Sequence, residues 1–319
     1  MSTRKMVDKE LLAQLKLMPS FDLNDETLIL GRGAMDSVML PLSDYARRDV
    51  LVEERKIPGP AGAPDVPVII YRPKRAEGPL PVYLNIHGGG YVMGVAAING
   101  PANVRTAAAL GCLIVSVDYR LAPEYPAPAG VEDCYAALAW IHKNARKLGI
   151  DRKRVAIGGE SAGGGLAAAL ALLARDRGEY KICFQLLIYP MLDDRTAAKE
   201  PKNPHVGEFV WNKLSNLFAW RAHLGKEPGS KNVSPYAAPA RAKDLAGLPP
   251  TYINVGALDL FLDEDIDYAQ RLLAAGVPTE LHIFPGAYHG FNVAPDAKVS
   301  QAADRESREA LGRALAKKK

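Results

Sequence analysis

The chain has 319 residues, 48% apolar and 24% charged, a composition typical of a globular protein with room for one large domain. Its 40 basic and 36 acidic residues are spread along the chain without a basic, aromatic-rich stripe, which excludes nucleic acid as an expected partner. No apolar run is long enough to span a membrane, and the charged N-terminal segment does not resemble a secretion signal. We therefore expect a cytoplasmic protein without stable membrane insertion.

Residues 1–45 are predicted to be helical, because Leu11, Leu12 and Leu15 share one helical face. Two β-rich segments at 50–57 and 66–72 follow, and the turn rich in Pro and Gly between them predicts an antiparallel hairpin. From there strands alternate with helices, which predicts a mostly parallel sheet covered by helices on both faces. The further predicted strands are 82–86, 113–117, the apolar run before Ser161, 184–189, 251–255 and 280–284; the clearest predicted helices are 101–110, 131–148 and 298–315.

Residues 191–225 interrupt this alternation with charged residues and then a helical patch that contains four large aromatic side chains. These are Phe209, Trp211, Phe218 and Trp220. The three cysteines are odd in number, form no C-x-x-C pair and lie in apolar segments, so we expect buried free thiols in a reducing compartment. They are Cys112, Cys134 and Cys183.

The segment Gly159-Glu160-Ser161-Ala162-Gly163 lies between a predicted strand and a predicted helix and fits G-x-S-x-G, the nucleophile-elbow pattern of α/β-hydrolases. A serine at the apex of so tight a turn requires very small residues two places before and after it. Ser161 is therefore the candidate nucleophile.

A serine hydroxyl needs a base to take its proton, usually a histidine oriented by a carboxylate. Asp259 and His289 each follow a predicted strand and occur in the order Ser, Asp, His that these folds use. The carboxylates at 263–265 compete with Asp259, but their place in the first turn of the next helix favours an interaction with the helix dipole. We predict a triad of Ser161, Asp259 and His289.

The segment His87-Gly88-Gly89-Gly90 directly follows a strand and can supply the oxyanion hole. Glycines let the backbone approach the developing oxyanion, so the predicted donors are the N–H groups of Gly88, Gly89 and Ala162. His87 is predicted to anchor this loop through its ring, and no metal site is predicted.

An alternative interpretation is that the glycines at 88, 89, 90 and 94, with Asp118 after the next strand, form a dinucleotide-binding unit. The third glycine lies one place late for G-x-G-x-x-G, and Asn99-Gly100-Pro101 interrupts the region where a helix should run. This alternative also leaves Ser161, Asp259 and His289 without a role, so no cofactor is expected.

Six motifs together carry a resemblance to a known family. They are His87-Gly88-Gly89-Gly90, Asp118-Tyr119-Arg120-Leu121-Ala122-Pro123-Glu124 leading to Pro128 and Glu132-Asp133, Gly159-Glu160-Ser161-Ala162-Gly163-Gly164, Tyr189-Pro190, Asp259, and His289-Gly290-Phe291. From about residue 50 onward the chain resembles the hormone-sensitive lipase family of carboxylesterases, bacterial family IV of the α/β-hydrolase superfamily. The chain departs from the family pattern at two positions: Glu160 stands before the serine where the family commonly has Asp, and the proline that often follows the family's catalytic Asp is absent after Asp259.

The resemblance implies an α/β-hydrolase fold with an eight-stranded sheet and a helical cap, the catalytic domain being 46–190 with 226–319 and the cap 1–45 with 191–225. It implies a carboxylesterase for short- to medium-chain acyl esters, without a metal and often a homodimer, with Gly90 and Glu160 supporting the motifs. Tyr91, Phe209 and Trp211 are candidate substrate-binding residues, although a core role is favoured for each cap aromatic. An amidase or lactonase with the same triad, or a non-catalytic ligand receptor on this scaffold, remains open as an alternative.

Overall fold

The computed structural model describes residues 2–18, 22–38, 44, 49–75 and 78–317. Within these ranges no helix combines the length and the apolar character that crossing a membrane requires. The predicted N-terminal helical segment falls partly outside them, at residues 1, 19–21, 39–43 and 45.

The described residues form one eight-stranded sheet in the order β1-β2-β4-β3-β5-β6-β7-β8. Its strands are β1 Val50–Ile57, β2 Val66–Pro73, β3 Leu80–Ile86, β4 Leu113–Val117, β5 Ile150–Glu160, β6 Phe184–Ile188, β7 Thr251–Gly256 and β8 Thr279–Phe284. Strand β2 is antiparallel to both β1 and β4, and all other neighbours are parallel. The predicted hairpin and the mostly parallel sheet are thus confirmed.

Helices cover both faces of the sheet. They are α1 Leu12–Leu17, α2 Asp25–Val38, α3 Gly100–Leu110, α4 Ala129–Lys143, α5 Ala145–Leu148, α6 Ala162–Arg177, α7 Asp194–Ala198, α8 Lys213–Leu224, α9 Leu262–Ala274 and α10 Lys298–Leu315. Because both faces are covered, every residue of β3, β4 and β7 is buried, as expected for central parallel strands. The carboxyl ends of β3, β5, β7 and β8 consequently share one edge, where the four candidate motifs lie.

Two local expectations change in the structure. The helix predicted over 131–148 is divided, because α4 ends at Lys143 and α5 starts anew beyond Asn144. Cys112 and Cys134 carry buried free thiols, whereas Cys183, just before β6, is only half-buried.

The N-terminal segment packs against the insertion that follows β6. Glu208 accepts hydrogen bonds from the Thr3 backbone N–H and hydroxyl, and the Ser215 hydroxyl accepts one from the Leu23 N–H at 3.0 Å. These contacts join the residues that precede α1 and α2 to the region around the start of α8.

Candidate active site

The turn between β5 and α6 holds Ser161 in an unusual backbone conformation, with φ 56° and ψ −121°. Only very small residues fit around it: a Cβ built on Gly159 would lie 2.6 Å from the Gly163 backbone, and one on Gly163 would lie 2.1 Å from the Ile86 carbonyl oxygen. The backbones of Gly159 and Gly163 are therefore in close contact. The resulting turn aims the Ser161 hydroxyl at the loop after β8.

His289 lies in that loop, and Asp259 lies in the loop after β7. His289 Nε2 is 3.0 Å from Ser161 Oγ, and its Nδ1 is 2.8 Å from Asp259 Oδ2. The second Asp259 oxygen accepts the Phe261 N–H at 3.0 Å. All three side chains are largely buried, Ser161 being 7% exposed and His289 5%. In this geometry His289 can accept the Ser161 proton while Asp259 holds the opposite ring N–H.

The His289 ring is enclosed by other aromatic side chains. Phe261 meets it edge to face with centroids 5.1 Å apart, Tyr189 does the same at 4.9 Å, and Trp211 lies at 6.3 Å on a tilted plane. These contacts restrict the ring to the orientation in which both of its nitrogens have partners.

The glycine loop after β3 faces the elbow. A Cβ on Gly88 would come within 2.9 Å of the Glu160 carbonyl oxygen, so this loop lies against the serine turn. Gly89 has φ +120°, which disfavours any other residue. Among the described residues, nothing accepts a hydrogen bond from the N–H groups of Gly88, Gly89 or Ala162. These three donors are available to an oxyanion beside Ser161.

The side chain of His87 is buried beneath this loop. Its ring stacks on Tyr119 with centroids 4.3 Å apart, and its Nδ1 lies 2.8 Å from the Gly88 carbonyl oxygen. The Tyr119 hydroxyl donates to the His87 carbonyl at 3.0 Å. Burial lowers the pKa of His87, which favours the neutral ring. These contacts suit the anchoring role that the sequence predicts.

Glu160 directly precedes the nucleophile, at the last position of β5. Its Oε1 accepts a hydrogen bond from Asn292 Nδ2 at 3.2 Å, and the Tyr189 hydroxyl donates to Asn292 Oδ1 at 2.6 Å. Burial raises the pKa of Glu160, and the hydrogen bond from Asn292 and the nearby Tyr189 hydroxyl oppose that rise. Sequence reasoning missed Asn292 and the role of the Tyr189 side chain, although both belong to segments that carry quoted motifs.

The three candidate substrate-binding aromatic residues have different surroundings in the structure. Tyr91 is 2% exposed, its ring stacks on His223 at 4.0 Å, and its hydroxyl donates to the Met191 carbonyl. Phe209 is likewise buried, against Tyr288, so both rings fill core space. The Trp211 ring lies 6.3 Å from that of His289, beside the proposed triad.

The carboxyl groups at 263–265 lie in the first turn of α9, as expected, where they can interact with the helix dipole. Two of them are also buried inside the protein. Glu264 is buried and accepts the Leu192 and Asp193 N–H groups at 2.7 and 3.1 Å. Asp265 is fully buried, and among the described residues its carboxyl oxygens have no hydrogen-bond partner. Burial raises the pKa of both groups well above the usual range.

Comparisons with known proteins agree with this fold. A family model described as the alpha/beta hydrolase fold matches residues 83–293. Carboxylesterase NlhH and esterase LipI of Mycobacterium tuberculosis are each 38% identical to this chain, over 84% and 81% of it and the same shares of their own lengths. The structure titled bacterial heroin esterase has a TM-score of 0.93 at 42% identity and covers 99% of this chain and 100% of its own. The predicted α/β-hydrolase fold is confirmed.

Proposed function

The chain belongs to the α/β-hydrolase family and is a carboxylic-ester hydrolase of the kind that the resemblance indicated, and on that premise we propose that Ser161, His289 and Asp259 form its catalytic triad. The observation that carries the proposal is the continuous hydrogen-bond path from Ser161 Oγ through the His289 ring to Asp259. A serine activated in this way attacks carbonyl carbon.

The proposed reaction proceeds through an acyl-enzyme. His289 takes the Ser161 proton as Oγ attacks the ester carbonyl, and the N–H groups of Gly88, Gly89 and Ala162 stabilise the oxyanion. By analogy with other hydrolases, each donor contributes roughly 3 kcal/mol to the transition state. The protonated His289 then gives its proton to the departing alcohol, and water releases the acid by the same route.

Short- to medium-chain acyl esters are the proposed substrates. Support comes from the enclosure of the site: the Trp211 ring lies 2.4 Å from where a Cβ on Gly90 would be and 6.3 Å from the His289 ring centroid. A bulky indole at this position leaves limited room beside the nucleophile. We also propose that 1–45 and 191–225 act as a cap over the catalytic domain, since the contacts of Glu208 and Ser215 join these two segments.

The test is Ser161→Ala against Ser234→Ala, which removes an exposed hydroxyl between α8 and β7. Turnover of p-nitrophenyl acetate and butyrate should vanish in Ser161→Ala and persist in the control. A serine-directed phosphonate, mapped by mass spectrometry, should label Ser161 in the parent chain. Turnover by Ser161→Ala, or labelling elsewhere, would overturn the triad; faster turnover of acyl amides or lactones than of matched esters would overturn the substrate class.

A further inference from the structure

Asn292 lies three residues after His289, in a short 3₁₀ turn that runs from Phe291 to Val293. Its carboxamide makes two side-chain hydrogen bonds in opposite senses. Nδ2 donates to Glu160 Oε1 at 3.2 Å, and Oδ1 accepts from the Tyr189 hydroxyl at 2.6 Å. The amide therefore joins the carboxyl ends of β5 and β6 to the loop after β8.

Each partner of this amide adjoins the triad. Glu160 is the residue before Ser161, so its side chain is attached to the turn that carries the nucleophile. The Tyr189 ring stands edge-on to His289 with centroids 4.9 Å apart. A shift of Asn292 would consequently move the His289 loop relative to both the nucleophile turn and the ring that packs on the base.

The chemistry of the bridge selects a carboxamide. It requires one donor toward a carboxyl group and one acceptor toward a phenol, and an amide supplies both from adjacent atoms. Aspartate of the same shape offers no donor when ionised and would set two carboxyl groups against each other. The other groups that act on Glu160 are the Tyr189 hydroxyl and His289, which lower its pKa, and Asp304 on α10, which raises it.

We propose that Asn292 is a positioning residue of the hydrolytic site, holding the His289 loop in register with the Ser161 turn through Glu160 and Tyr189. This inference rests on the proposed triad. The proposed role depends on which atoms of the bridge donate and which accept a hydrogen bond, and not on the charge of Glu160.

The first arm is Asn292→Asp, with Asn203→Asp as the matched control because the Asn203 side-chain oxygen accepts the His205 N–H and can still do so as a carboxylate. A displacement of about 1 Å at the reacting groups can cost about 100-fold in rate. We therefore expect kcat for p-nitrophenyl butyrate to fall by about 10- to 100-fold in Asn292→Asp, with KM little changed. The control should keep the parent kcat.

The second arm reverses the bridge. In the double variant Asn292→Asp/Glu160→Gln, the amide at 160 can donate to the carboxylate at 292, which still accepts from Tyr189. The double variant should recover kcat to within about threefold of the parent, a non-additive effect that lost packing would not produce. Glu160→Gln alone retains an acceptor oxygen for Asn292, so its kcat should also stay within about threefold.

An unchanged kcat in Asn292→Asp, no recovery in the double variant, or a loss in Glu160→Gln as large as that in Asn292→Asp would overturn the inference. If the variants at 292 fail to fold, which thermal denaturation would reveal, Tyr189→Phe tests the same bridge: it removes the donor to Asn292 Oδ1 and keeps the ring beside His289, so kcat should fall by about 10-fold, and an unchanged kcat would overturn the inference. Phosphonate labelling of Ser161 is measured in parallel. Turnover by Ser161→Ala refutes the triad itself, whereas an inactive Ser161→Ala beside a fully active Asn292→Asp refutes only the positioning role.

Discussion

Replacing Asp259 by Asn exchanges one carboxyl oxygen for an NH₂ group at a position where both oxygens are used. Oδ1 accepts the Phe261 N–H and Oδ2 lies 2.8 Å from His289 Nδ1. If the amide oxygen stays with Phe261, the NH₂ group faces Nδ1 and forces the ring proton onto Nε2. His289 then points an N–H at Ser161 and cannot accept its proton.

Rotating the amide restores the competent tautomer at a calculable cost. The NH₂ group then faces the Phe261 N–H, and two buried donors lose their acceptors at about 1–3 kcal/mol each. A penalty of about 2–6 kcal/mol, at about 1.4 kcal/mol per tenfold, predicts that kcat falls by roughly 30-fold to 10⁴-fold. Asp259→Asn should nevertheless remain folded, because its volume is unchanged.

Initial rates with saturating p-nitrophenyl acetate, together with thermal denaturation, measure this effect. Asp265→Asn is the matched control, because its buried carboxyl has a raised pKa and no hydrogen-bond partner among the described residues. We expect its kcat to equal that of the parent. An Asp259→Asn enzyme within about tenfold of the parent would refute the tautomer argument.

Three further predictions concern packing, pH and substrate size. Gly163→Ala places a methyl group 2.1 Å from the Ile86 carbonyl oxygen and should lower the free energy of unfolding, measured in urea, by about 1–3 kcal/mol or more. The control Gly33→Ala adds a methyl group in open space on α2 and should not lower the free energy of unfolding. Burial lowers the pKa of His223 from 6.5 to about 4, so the unfolded chain binds more protons than the folded chain between these pH values. The free energy of unfolding should therefore fall by up to roughly 3 kcal/mol as the pH drops through this window. His223→Gln should abolish this part of the pH dependence. Trp211→Ala should raise the ratio of kcat/KM for p-nitrophenyl octanoate over acetate by about tenfold or more, and an unchanged ratio would contradict a size-limiting role for this ring.

The strand ends could be placed from the sequence because apolar runs, glycines and chemically active residues coincide there. Val117 ends β4 and Ile57 ends β1 at the predicted residues, since a polar segment follows the first and a turn rich in Pro and Gly follows the second. Ser161, Asp259 and His289 could be grouped for a related reason: in a parallel sheet the carboxyl ends meet at one edge.

Side-chain direction could not be obtained in this way. Tyr91 follows the oxyanion loop directly in sequence, yet its φ of 67° turns the ring into the core against His223. Asp265 looks like an ordinary acidic residue of a first helical turn, but the packing of α9 buries it completely. The bridge through Asn292 joins residues more than 100 positions apart, and local patterns carry no information about such contacts.

The place of β8 in the sheet has a consequence for inactivation. This strand is at the edge and pairs with β7 alone among the described strands, and most of its residues are only half-buried while those of β7 are buried. Such an edge opens at a lower free energy than the interior of a sheet. Because His289 follows β8, a partial opening there disconnects the base while Ser161 keeps its turn. Amide hydrogens of β8 should exchange with solvent sooner than those of β5, and heating should abolish turnover before it unfolds the rest of the chain.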